Sequence, residues 1–346
     1  MARLTPRRAP LGKTCAVAAA LMLSSTNGAS AHIKWFCAFN VAAAPRGLES
    51  VLTLDFWMLA ATSILALASG FLVEAEIGRQ LSQALDRITS ALQSNADLLI
   101  RTVCAFFFVA LWTMGGVILT PELKTTSEAI SWLQLAIAAG LVSRRTLPGS
   151  GLGIVVLYAV AAWDYGAFHV ADYPIFLGIA AYFVLTGLDR EIWGARPIDI
   201  VRYTAAVTLM WASVEKWAYP EWTFPLFIEH PSMTIGYDPE FFMRAAGMIE
   251  FALAFSLMWT PLVRRAGAIL LVTMFVSAAF EFGKIDVIGH APIVVVLLAI
   301  IADHGAQKGD FPRLTLALPA AYCTALAAVV LTYYGAHAAL FGTGIL

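Results

Sequence analysis

The sequence predicts an all-α, polytopic membrane protein with about ten transmembrane helices. Three observations predict it. Of 346 residues, 60% are hydrophobic and only 13% are charged, whereas soluble domains carry roughly 25% charged residues. The apolar residues fall in blocks of about 18 to 25, the length at which a helix crosses a bilayer. Basic residues alternate between rich and poor loops, as a chain threaded repeatedly through a membrane requires. A formal net charge of −1 gives no reason to expect a nucleic-acid partner. The chain has no P-loop, HExxH or GxSxG, and no GxGxxG following a strand, so the common soluble chemistries have no foothold. Cys15, Cys37, Cys104 and Cys323 are scattered without a CxxC, which argues against a disulfide framework or zinc site.

The first element is a processing signal. "MARLTPRRAPLGKTCAVAAALMLSSTNGASAH" places Arg3, Arg7, Arg8 and Lys13 before a short apolar stretch, then small residues ending in Ala29-Ser30-Ala31. That is a secretory signal peptide over 1–31. Cleavage after Ala31 makes His32 the mature N-terminus, whose amine and imidazole together suit Cu(II). The plainer reading is that His32 is merely where the cut falls.

"HIKWFCAFNVAAAPRGLES" follows as an aromatic segment outside the membrane. Spans are then expected near 53–75, 99–119, 130–144, 151–168, 172–188, 198–217, 240–260, 265–282, 290–303 and 315–340. Between the first two, "GRQLSQALDRITSALQSNADLL" sets Leu81, Leu85, Ile88, Leu92 and Leu99 on one stripe, an amphipathic helix suited to the cytoplasmic surface. With the mature N-terminus outside, Arg79, Arg87, Arg101, Arg144, Arg145, Arg190, Arg196, Arg202, Arg264, Arg265, Lys308 and Arg313 fall on inner loops. Only Lys34, Arg46, Lys124, Lys216 and Lys284 fall outside. The positive-inside rule therefore orients the chain in a bacterial inner membrane with mature N- and C-termini in the periplasm.

The chain also repeats itself. At an offset of 117, Ala161, Ala162, Trp163, Asp164, Tyr165, Gly166 and Val170 match Ala278, Ala279, Phe280, Glu281, Phe282, Gly283 and Val287. Pro174 and Pro292 follow in turn. "LIRTVCAFFFVALWTMGGVILTPEL" likewise resembles "DIVRYTAAVTLMWASVEKWAYPEW". The division is then 1–31 signal peptide, 32–98 leading segment with first span and amphipathic helix, 99–190 first four-helix repeat, 196–304 second repeat, and 305–346 cytoplasmic loop and last span. Four spans per unit is even, so the copies insert parallel. Ala167 and His169 stand where the second copy has Lys284 and Asp286, which suggests a scaffold copy and a working copy.

The second copy carries polar residues at cost. Glu215 and Lys216 end its first span, and Glu250 lies in the middle of its second. Glu281, Lys284, Asp286 and His290 surround the turn between its third and fourth, and His230, Tyr237, Asp238 and Glu240 occupy the long outer loop. A charge at mid-bilayer costs about 3 kcal/mol or more, so Glu250 is expected to face the interior with Lys216 or Lys284 as partner. A buried Glu–Lys pair that only locks helices together is the structural alternative. Five of six histidines fall toward the outer face without metal-ligand spacing.

The Arg202 start, "EKWAYPEW", Glu250 in "AGMIEFALAF", the Arg264-Arg265 turn and "FGKIDVIGH" resemble the DoxX/DoxD-like membrane family. "HIKWF" is similar to the mature start of a bacterial subset with a His-x-Lys-Trp-Phe segment. The resemblance implies a compact four-helix membrane unit, and in several relatives quinone- or thiol-linked redox chemistry. The absence of paired cysteines sets this chain apart from the thiol branch. The leading expectation is a quinone-linked redox subunit or accessory, partnered by lipid and by another membrane redox subunit. In it Glu250 and Glu281 carry protons, Lys216 and Lys284 hold anionic oxygens, His290 serves the mouth beside Asp286, and Trp211 and Trp217 line the pocket with Glu215. The alternatives are a proton-coupled transporter, a periplasmic copper-handling protein using His32, and a structural subunit of a membrane complex.

Overall fold

Glycines and prolines punctuate a chain that is otherwise helix. The computed structural model describes residues 33–304 and 311–344; the expected signal peptide over 1–31 and His32 lie outside the described residues. Among the described residues there is no strand, only two isolated bridges, Val117 with Lys124 and Ile192 with Ala195.

In chain order the helices are α1 (Ile33–Phe36), α2 (Leu48–Val51), α3 (Leu54–Ser94), α4 (Ala96–Met114), α5 (Glu128–Gly140), α6 (Leu147–Tyr165), α7 (Ala167–Val170), α8 (Pro174–Leu188), α9 (Pro197–Ala218), α10 (Phe224–Glu229), α11 (Pro239–Ser256), α12 (Pro261–Ala302) and α13 (Phe311–Phe341). Five helices are long and apolar enough to cross a membrane: α3, α4, α6, α12 and Leu316–Phe341 within α13. Helix α8 is apolar but shorter.

The sequence explains where the helices start and stop. Pro174, Pro197, Pro239 and Pro261 open α8, α9, α11 and α12, where the missing N–H costs nothing and φ is already helical. Asp238 caps α11, accepting from the Glu240 and Phe241 N–H groups at 3.0 Å. Gly166 (φ 87°) ends α6, and Gly283 (φ 75°) splits α12 into two limbs, a conformation that a Cβ disfavours.

One expectation needs correction. The amphipathic segment is not a separate helix lying on a membrane surface; it continues the first span as one 41-residue helix, about 60 Å long. Tertiary contacts hold it there. Glu74, buried within α3, accepts from the Leu262 and Val263 N–H groups (3.1 and 3.0 Å) and from the Thr260 hydroxyl (2.5 Å), and so caps the positive end of α12. About three to four turns further along α3, Asp86 and Thr89 receive the buried Arg265 guanidinium at 2.5 and 3.1 Å.

The bundle therefore has one arginine-rich end whose charges are tied. Arg196 bridges Asp199 and Asp303, Arg264 reaches Asp303 at 3.3 Å, and Arg202 pairs with Asp199 while donating to the Leu257 carbonyl at 2.7 Å. The opposite end carries lysines, and there the packing opens.

Candidate functional site

At the lysine-bearing end a cavity of about 660 Å³ lies among α8, α9, α11, both limbs of α12, and the chain's leading segment. Its walls are largely apolar, including Ile175, Phe176, Leu209, Phe242, Met243 and Phe275. Into them are set Lys34, Asp172, Glu215, Lys216, Glu250, Glu281 and His290.

The charges occur as local sets. The Lys216 ammonium lies 2.5 Å from Glu250 Oε2, bridging the end of α9 to the middle of α11, where Glu250 is buried. Three residues from distant parts of the chain form the second set: Lys34 donates to Asp172 and, at 2.5 Å, to Glu215. The Lys34 side chain is 1% exposed. Burial alone would lower its pKa, but the Asp172 and Glu215 carboxylates together hold it above the ordinary lysine value. The Phe39 and Trp222 rings stand 5.8 and 5.7 Å from its ammonium. Asp172 Oδ1 is buried with no hydrogen-bond partner. Beside it Tyr173 donates to Glu122, whose carboxyl burial pushes above its usual range against the pull of that hydroxyl.

At the turn between the limbs of α12, His230 Nδ1 meets Glu281 Oε1 at 2.7 Å. His290 Nδ1 lies 2.9 Å from Asp286 Oδ1. The Trp35 indole packs on His290 at 4.8 Å between centroids and lies on Gly289, where a Cβ would collide with the ring.

Of the residues singled out by the sequence, Glu215, Lys216, Glu250, Glu281 and His290 line this cavity. Asp286 is fully buried behind His290. Lys284 departs from expectation: it is exposed and off the cavity wall, because Gly283 turns the chain so that the i, i+3 relation with Glu281 is lost. Glu250 therefore pairs with Lys216 alone. Trp211 and Trp217 also depart. Both are core residues outside the lining; Trp211 packs on Tyr333 at 4.9 Å, and Trp217 donates to the Arg244 carbonyl at 3.2 Å. The lysines hold carboxylates rather than standing open for anionic oxygens.

Sequence reasoning missed Lys34, Asp172 and Glu122. The signal was present in opposite-sign residues stranded in apolar segments, Lys34 in "HIKWF" and Asp172 in "HVADYP". Asp172 lies in the supposed scaffold copy, so a working copy and a passive copy do not describe the site. Among the described residues no group of three His, Cys, Asp or Glu side chains is arranged to hold a metal, and the expected copper ligand His32 lies outside them. Searches against protein-family models, curated proteins and solved structures found no match, so the DoxX/DoxD-like resemblance rests on the residues that carry it.

Proposed function

We propose that this chain is a bacterial inner-membrane protein that binds a quinone-type ligand in the cavity and exchanges protons with it, as a redox subunit or its accessory. In this reading there are ten crossings, with α12 counted as two: eight form two parallel DoxX-like four-helix units, and α3 and α13 flank them. The arginine-rich end faces the cytoplasm, and the cavity and both mature termini face the periplasm. The tied arginines on one end support that orientation, since cytoplasmic loops collect basic residues.

The observation that carries the functional reading is an ion pair, Lys216–Glu250, set into the wall of an apolar cavity deep in the bundle. A charged pair at that depth is costly if it only packs helices. The cavity fits a flat, apolar molecule with a neutral polar head. Lining carboxylates (Asp172, Glu215, Glu250, Glu281) outnumber lining ammonium groups (Lys34, Lys216), so an anionic head is disfavoured. The free Asp172 Oδ1 offers an acceptor to a hydroxyl donor. When bound, a quinone supplies coupled two-electron, two-proton chemistry, with the electrons coming from a partner redox subunit. The chain's own part is to hold the hydroxyl of the reduced, quinol form against Asp172, exclude water with its aromatic walls, and pass a proton through Glu250.

The test is direct. Protein purified into lipid nanodiscs and extracted with organic solvent should yield quinone near one per chain, and Glu250→Gln should reduce that by tenfold or more. Absence of quinone from the wild-type extract, with no uptake of added quinone, overturns the reading.

A further inference from the structure

We propose that the cavity is loaded sideways from the bilayer, through the wall formed by residues 273–281 of α12, so that its ligand is a membrane-dissolved molecule rather than a water-borne one. This rests on reading the cavity as a ligand site, and it specifies the phase from which the ligand comes.

The wall itself is the first observation. In the lower part of the first limb of α12, Val263, Arg264, Arg265, Gly267, Ala268 and Leu271 are buried. From residue 273 to 281 not one residue is buried, although Thr273, Met274, Ser277 and Glu281 line the cavity. One thickness of helix thus separates the cavity from the outside of the bundle. The corresponding part of α6 is built differently: Leu157 and Ala161, at the positions of Met274 and Ala278, are fully buried. The upper part of the first limb has the same sequence pattern but faces the cavity instead of packed chain.

Depth is the second observation. Residues 273–281 lie about 12 to 24 Å along the helix from Arg265, within the roughly 30 Å hydrocarbon layer. The exposed Val276 and Phe280 on this limb (42% and 77%) are suited to acyl chains. A gap at this level meets lipid, not water.

The third is how the limb is held. Its top is tied by the His230–Glu281 contact at 2.7 Å and by the His230 ring packing on Phe282, and the chain bends immediately afterward at Gly283. That is a latch beside a hinge. The end of the cavity away from the arginines is closed instead by the leading segment, where Lys34 is bound by two carboxylates and Trp35 lies flat on Gly289. Behind it the segment is tied down by Val41 and Ala43 carbonyls bonded to His337 and Tyr219.

A nitroxide reporter tests this without any ligand. Cys15, Cys37, Cys104 and Cys323 are replaced by serine or alanine, and one label is attached through Ala246→Cys inside the cavity or, separately, through Ser277→Cys on its wall. In proteoliposomes, power saturation should show dissolved oxygen colliding with both labels several-fold more effectively than a water-soluble nickel chelate. His230→Ala and Glu281→Gln should each release the latch, sharpening the Ser277→Cys spectrum and raising oxygen access at Ala246→Cys by twofold or more. Nickel access equal to or above oxygen access at Ala246→Cys overturns the proposal, as does an unchanged spectrum in both latch variants. Because no quinone is involved, the oxygen result can stand while the quinone assignment fails, and the reverse.

Discussion

The stretch from Ala96 to Leu188 and the stretch from Pro197 to Ala302 use the same devices for different ends. Each begins with an arginine that satisfies carbonyls at the end of the next long helix: Arg101 reaches Leu141 and Val142, and Arg202 reaches Leu257. Each bends at a positive-φ glycine, Gly166 or Gly283. The difference lies between. Gln134 in α5, counted back from the capped carbonyl, occupies the place of Glu250 in α11. Its amide nitrogen stays within its own stretch, donating to the Val117 and Ile118 carbonyls at 2.7 and 2.5 Å. Glu250 also finds its partner within its own stretch, Lys216, but the pair lines the cavity. The amide is fully buried in packed chain, while the carboxylate and its lysine face open space.

The largest expected effect comes from the residue that joins both stretches. Lys34→Met leaves Asp172 of the first and Glu215 of the second facing each other in a buried site, and should cost about 3–5 kcal/mol of stability, read as a lowered unfolding midpoint in detergent. Adding Asp172→Asn should recover part of it; no recovery would mean that Lys34 acts only by packing.

Acidification should discriminate next. His169 in the first stretch stands where the second has Asp286. It is buried, its Nε2 has no partner, and burial, with Lys34 nearby, lowers its pKa from 6.5 to about 4. The unfolded chain therefore binds this proton first. The stabilising effect of a neutral His169 is whole above pH 6.5 and is lost as the pH falls toward 4, by up to about 3 kcal/mol. His169→Phe should flatten that part of the pH–stability curve.

Smaller effects separate structure from binding. Glu250→Gln should weaken quinone retention by at least tenfold. Gln134→Leu, which strands two carbonyls, should cost about 1–2 kcal/mol of stability and leave retention unchanged. If both variants lose ligand equally, the contrast between the two stretches fails. Of similar size, Gly166→Ala and Gly283→Ala should each cost about 1–3 kcal/mol, because their positive-φ extended conformations are essentially open to glycine alone. Only Gly283→Ala should also alter label motion at position 277.

Much of the frame was legible in the chain. Apolar block length announced helices suited to a membrane, the proline and glycine positions announced their limits, and the Arg264-Arg265 turn marked the tied end. The inward face of Glu250 was legible too, because a mid-span carboxylate has few affordable directions. The errors have a common physical origin. Lys284 was given to the pocket as a partner for Glu250, and the backbone turn at Gly283 leaves it exposed and off the cavity wall. Trp211 and Trp217 were given to the cavity because aromatic residues look alike whether they line a space or fill one. The helix after the first span was laid on a surface because an amphipathic stripe does not say whether water or Arg265 will meet its polar side.

By itself the sequence determined what is local: helices, their caps and bends, and which segments are too apolar for water. Only the tertiary structure decided the partnerships, bringing Lys34 to Asp172 and Glu215 across 138 and 181 residues of chain and leaving a cavity where α12 stands off from its neighbours. The reason is that helix formation depends on spacings of three and four residues, whereas the pairing of buried charges depends on which helices meet, a property of the packed bundle as a whole.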